Sequence, residues 1–156
     1  ELEPNNFYAL FGMADCYRGM NQHEQSLKYW DKILKKDPEN KVILTRAGDA
    51  YRNLGELDKA EEYYSKALNI EFDVYAILGL ALINKQRGNY ANCIESLKSL
   101  LHSDPKNHRL YTEIAECYMM LGDKNKAIET LANFQKLGIR NSFVSNLLDK
   151  LRSGGR

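Results

Sequence analysis

Three glycines in similar surroundings, Gly55, Gly88 and Gly122, stand 33 and 34 residues apart. A fixed period of this length confines a chain to repeat architectures, because one such unit cannot bury its apolar face alone and must stack on the next. Each glycine follows an apolar-periodic stretch and precedes a polar helix start: Glu56-Leu57-Asp58, Asn89-Tyr90-Ala91 and Asp123-Lys124-Asn125. Tyr17, Tyr51 and Tyr118 keep the same register, and Asn84 stands where the intervening tyrosine would fall. Asn21 takes the turn-glycine place in the first copy, asparagine being the next best residue for a left-handed turn. The register divides the chain into units 7–40, 41–73, 74–107 and 108–141.

Within each unit two helices of about 14 residues flank the turn. Apolar residues at 3.6-type spacing mark the first helix, as in Leu44, Ala47, Gly48 and Tyr51, or Tyr111, Ile114, Ala115 and Tyr118. The second helix continues with Ala60, Tyr64, Ala67 and Leu68, or with Ala127, Leu131 and Phe134. Small residues at Ala14, Gly48, Ala81 and Ala115 allow two helix backbones to approach. Pro38 and Pro105 end second helices, since proline breaks the hydrogen-bond ladder. Phe72 and Ile139 stand in the other two exits, and the shorter second unit has lost its residue within 69–73.

This pattern resembles the tetratricopeptide repeat family, whose signature is a 34-residue helix–turn–helix. Leu44-x-x-Ala47-Gly48-x-x-Tyr51, followed by Gly55, Ala60 and Tyr64, carries the likeness best. Departures are Asn84 for the aromatic, Ser26 and Cys93 for a small alanine, and bulky Ile33, Leu100 and Phe134 at another usually small place. The resemblance covers residues 7–141 and implies an all-α, right-handed solenoid of four helix–turn–helix repeats. A final amphipathic helix over 142–152, with Phe143, Leu147, Leu148 and Leu151, is expected to cap the open apolar face. Residues 1–6 resemble the proline-terminated tail of a preceding repeat, and 153–156 read as a flexible tail, so the chain is expected to be a segment of a longer protein.

Composition narrows the function. Twenty-two Lys and Arg against 21 Asp and Glu leave a formal net charge of +1, without the basic excess of a nucleic-acid binder. No apolar run reaches the length of about 20 residues that spans a bilayer. His23, placed in a turn, and His102 and His108, flanking the Pro105 loop, follow no metal-binding spacing. The glycines are dispersed at the repeat period rather than clustered in a phosphate loop. Cys16, Cys93 and Cys117 read as buried packing thiols, an odd count without a CxxC pair. Their use fits a reducing compartment, hence a cytoplasmic location. No catalytic, metal or cofactor role is expected.

What remains is a binding surface. In the family resembled, first helices line a concave groove. Helical geometry then selects residues off the packing stripe. In the first unit these are Tyr8, Phe11, Asp15 and Arg18, and in the second Thr45, Arg46, Asp49, Arg52 and Asn53. The third unit adds Tyr75, Leu78, Leu82 and Lys85, and the fourth Arg109, Thr112, Glu113, Glu116 and Met119. Asp15, Asp49 and Glu116 form one lane, and Arg18, Arg52 and Lys85 a second three residues on. They read either as a polar track for an extended peptide or as i,i+3 pairs contributing about 0.2–0.5 kcal/mol each. Tyr75, Leu78 and Leu82 are expected to put an apolar patch on the solvent-facing side of the third unit, as an interaction site does. The Lys and Asn clamp that chaperone-binding members use for a terminal carboxylate is absent, since the matching places hold Phe11 and Asp15. The expectation is a non-enzymatic protein–protein interaction scaffold that binds a partner's peptide or helix. The alternative is self-association into a homo-oligomer. Neither nucleic acid nor direct membrane insertion enters this reading.

Overall fold

The computed structural model describes residues 6–154, so the stretch read as the tail of a preceding repeat lies almost wholly outside the described residues. Nine helices, and no strand, form among them: α1 (Phe7–Gly19), α2 (His23–Lys36), α3 (Lys41–Asn53), α4 (Leu57–Ile70), α5 (Val74–Gln86), α6 (Tyr90–Ser103), α7 (His108–Met120), α8 (Lys124–Gln135) and α9 (Ser142–Ser153). None is long and apolar enough to cross a membrane. The chain divides into two compact units, Glu1–Ile83 and Asn84–Arg156.

The turns show why the sequence breaks where it does. Asn21 (φ 57°), Gly55 (80°), Gly88 (83°) and Gly122 (79°) all adopt the left-handed region. The next residue's N–H then reaches back five residues: Gln22 to the Tyr17 carbonyl, Glu56 to Tyr51, Asn89 to Asn84 and Asp123 to Tyr118, at 2.8–2.9 Å. This is a Schellman closure, and it ties the recurring tyrosine to the recurring glycine.

A second recurrence opens the helices. Asn6, Asn40, Asp73, Asn107 and Asn141, spaced 33 or 34 apart, accept hydrogen bonds from the backbone N–H groups of Tyr8, Ile43, Tyr75, Arg109 and Val144. Such caps satisfy orphan donors and stabilise a helix by about 1 kcal/mol each. In Asp37-Pro38-Glu39-Asn40 and Asp104-Pro105-Lys106-Asn107 the capping asparagine also donates to the first aspartate, at 3.2 and 3.0 Å.

In the unit 1–83 the core contains Leu10, Trp30, Ile33, Ile43, Leu44 and Tyr64. Trp30 and Tyr64 are fully buried and stand 34 residues apart. Fully burying a large apolar side chain stabilises by about 1.5–3 kcal/mol. Tyr64 of α4 lies against Gly48 of α3, where an added Cβ would meet its ring at 2.8 Å. It lies also against Gly79 of α5, where a Cβ would overlap the ring's Cζ, Cε1 and Cε2. Ser26 stands in the place of the small alanine with its buried hydroxyl satisfied, donating to the Ala14 carbonyl at 2.7 Å.

In the unit 84–156, Ala115, Ala127, Leu131 and Phe134 form a core with Val144, Leu148 and Leu151 of α9. Here the expected register of the last helix needs correction. Phe143 is 60% exposed and Val144 is buried in its stead, because the i, i+4, i+7 stripe runs through 144, 148 and 151. Two further expectations change. His23 is the first residue of α2 rather than a turn residue. Cys16 is exposed, while Cys93 and Cys117 are buried, because Cys16 lies off the stripe of Leu10 and Ala14 by which α1 is buried.

Candidate functional site

In the unit 1–83 the first helices bring several of the expected residues together. A cleft of about 200 Å³ is lined by Arg18, Arg46, Asp49, Arg52 and Asn53, and also by Asn21, His23, Ser26, Trp30 and Ala50. A neighbouring cleft of about 280 Å³ shares Arg46 and Asp49 and is completed by Val42, Thr45, Asp73 and Tyr75. Val42 and Tyr75 are 52% and 69% exposed, so this second cleft has an apolar rim.

The charges are organised by pairing. Arg18 and Asp15 bond at 2.7 Å on α1, with both side chains about 40% exposed. On α3 the Arg52 guanidinium lies 3.9 Å from the Asp49 carboxylate. The Tyr64 hydroxyl donates to Asp49 and accepts from Arg52 Nε at 3.2 Å, so a buried side chain anchors the pair from below. Burial, reinforced by the Asp49 carboxylate, pushes the Tyr64 phenol above its ordinary value. The Asn53 amide donates to its own helix at the Asp49 carbonyl, 2.8 Å.

In the unit 84–156 the arrangement differs. Lys85 Nζ reaches Glu113 at 2.6 Å and Glu116 at 2.5 Å, joining the end of α5 to α7. Burial alone would lower the Lys85 pKa, but hydrogen bonds to the two carboxylates outweigh it and hold the ammonium above its usual range. Arg109 approaches Glu113 at 4.0 Å from one turn away. Met119 is 38% exposed at the end of α7.

Three of the expected surface positions prove to be buried. Thr45 is 6% exposed because its hydroxyl donates to the Asp73 carboxylate at 3.0 Å, which pulls it inward. Thr112 is 5% exposed, its hydroxyl returned to the Arg109 carbonyl of its own helix. Leu82 is 6% exposed, against the expectation of a wetted leucine. It stands where α1, α3 and α7 carry acids, and without a charge to hold it in water it is buried with Ala76, Gly79, Ala81 and Ile83 of α5. Phe11 and Leu78 are half-buried, Phe11 through edge-on packing against Trp30 at 5.3 Å. Tyr8 stands 81% exposed.

Sequence reasoning missed Trp30, Val42 and Asp73. The signal for Trp30 was its 34-residue spacing from Tyr64, at a place that holds Leu97 and Leu131 in the later copies. Its indole Nε1–H is buried without a hydrogen-bond acceptor among the described residues.

The described residues contain no group of three or more His, Cys, Asp or Glu able to hold a metal ion. Burial raises the Cys93 thiol to about 12 and also raises that of Cys117, which suppresses both thiolates near neutral pH.

Comparison with known proteins supplies the context. Two family models described as tetratricopeptide repeat match residues 4–74 and 85–134. A tetratricopeptide repeat protein from Parabacteroides merdae superposes with a TM-score of 0.83 at 25% identity, over 96% of this chain. The chain spans only 59% of that protein's length. PilW, described as a type IV pilus biogenesis factor, gives 0.80 at 17% identity, over 98% of this chain and 73% of its own. MamA from Desulfovibrio magneticus gives 0.76 at 16% identity, over 98% and 86%. At those identities the last two share the fold alone. The curated proteins contain no match.

Proposed function

The chain belongs to the tetratricopeptide repeat family, and from that premise we propose that it is a non-enzymatic module that binds a peptide or helix of a partner protein. The observation that carries the reading is the pair of adjoining clefts in the unit 1–83. Arg46 and Asp49 belong to both, and exposed Val42 and Tyr75 border one of them. A backbone laid along this face meets charged groups able to bond amides, beside apolar side chains that gain by leaving water.

The test is affinity capture with the wild-type chain beside Tyr75→Ala and Val42→Glu, both exposed positions whose replacement leaves the helices intact. A partner retained by the wild type and lost by both variants, with unchanged circular dichroism, supports the reading. Equal capture by all three refutes this face as the binding surface.

Self-association is the second reading, and exposed aromatics favour it: Phe7 at 45% and Tyr8 at 81% on α1, and Phe143 at 60% on α9. It requires a mass by light scattering that rises with concentration and falls on Tyr8→Ser or Phe143→Ser. A monomer mass at every concentration removes it.

A further inference from the structure

The repeat register sets two buried aromatic tips side by side for comparison. Trp30 and Tyr64 occupy equivalent places, 34 residues apart, and both are fully buried. The Tyr64 hydroxyl is satisfied from within, by Asp49 and Arg52. Its counterpart, the Trp30 indole N–H, has no acceptor among the described residues, although Asp15 and Arg18 stand in the equivalent positions on α1. Those two bond each other instead. Buried polar groups in folded proteins are almost always paired, so an orphaned donor on a side chain that lines a cleft calls for an acceptor from outside.

The charge around that cleft says what the acceptor is. Arg18, Arg46 and Arg52 line it together with one carboxylate, that of Asp49. Asp15, bonded to Arg18, balances a second guanidinium. One positive charge is left over, which suits a singly charged carboxylate better than a doubly charged phosphate. Guanidinium forks and an indole N–H are all donors, and a carboxylate is an acceptor only. The volume of about 200 Å³ suits a side chain rather than a folded element.

We propose that this cleft between α1, α2 and α3 is an acidic-residue pocket: it takes a glutamate or aspartate side chain of the partner peptide, whose carboxylate accepts from the Trp30 indole and from Arg46. The proposal rests on the protein-binding reading and adds the sequence requirement that reading lacks.

Trp30 is the only tryptophan, so its indole N–H gives a single NMR resonance that reports on this donor. The isotope-labelled chain is titrated with acetyl-glutamate amide, with acetyl-glutamine amide, with acetyl-alanine bearing a free terminal carboxylate, and with inorganic phosphate. The expected result is a saturable downfield shift of the indole proton with the capped glutamate and none with the capped glutamine. Arg46→Gln weakens that titration about tenfold, while Lys150→Gln on α9 leaves it unchanged. An indole resonance unmoved by the capped glutamate, moved equally by the glutamine, or moved only by phosphate or by acetyl-alanine overturns the proposal. Capture of a partner that survives Arg46→Gln with a silent indole defeats the pocket and leaves the module standing. A responsive indole in a chain that captures nothing does the reverse.

Discussion

Gly79→Ala tests the packing of the unit 1–83 with the smallest possible perturbation. Alanine is favoured over glycine inside a helix by about 1 kcal/mol, so a helix free of tertiary contact gains from the change. At Gly79 the new methyl overlaps three atoms of the Tyr64 ring. The ring is held in place, since it lies between Gly48 and Gly79 and its hydroxyl is bound by Asp49 and Arg52. Overpacking of this kind costs about 1–3 kcal/mol or more. With three ring atoms overlapped the cost falls in the upper part of that range, about 2–3 kcal/mol, so after the propensity gain a net loss of about 1–2 kcal/mol is expected. For a chain of this size that lowers the melting temperature by about 2–8 °C. Urea unfolding followed by circular dichroism reads the loss directly. The control is the Tyr64→Leu background, leucine being the residue at the equivalent positions Leu97 and Leu131. There Gly79→Ala should reverse sign and stabilise by about 0.5–1 kcal/mol. Gly79→Ala that stabilises the wild-type chain, or that costs the same in both backgrounds, refutes the argument that Tyr64 demands the glycine.

Leu82→Ala should cost about 2–5 kcal/mol as a core truncation, whereas Tyr75→Ala should melt within about 0.5 kcal/mol of wild type as a surface change; a Leu82→Ala melt that matches wild type would restore that leucine to the surface. Under native conditions at pH 8 a thiol reagent should modify Cys16 alone, with Cys93 and Cys117 reacting only after denaturant is added; mass spectrometry counts the adducts, and rapid native labelling of three thiols contradicts the burial. Lys85→Met should cost about 1–2 kcal/mol at pH 7 by stranding Glu116 and leaving Glu113 to Arg109. Because the Lys85 pKa is raised in the folded chain, the ion-pair contribution is complete below its unfolded value of 10.5 and fades as pH climbs beyond it. The gap between wild type and variant must therefore narrow above that pH, and a gap constant with pH excludes the ion pairs as its source.

The period, the helix–turn–helix unit and the left-handed turn residues were legible in the sequence, and the reason is that they are local. A glycine at φ near 80°, an asparagine able to adopt 57°, a proline that ends a helix and an apolar stripe every 3.6 residues each act within a turn or two of chain. The capping asparagines are equally local and equally periodic, yet they were not read from the sequence and emerged only with the helix starts. What the tertiary structure alone decided was which side chains of the first helices reach water. Thr45 is drawn in by Asp73, 28 residues away, and Lys85 turns to Glu113 at the same separation. Leu82 shares a helical position with Asp15, Asp49 and Glu116 and yet is buried, because α5 carries apolar residues around so much of its circumference. The same holds for the candidate site. Its arginines could be read off a helical wheel, but the orphaned Trp30 N–H could not. Whether a buried donor finds an acceptor depends on where residues distant in sequence come to rest, and no periodicity encodes that.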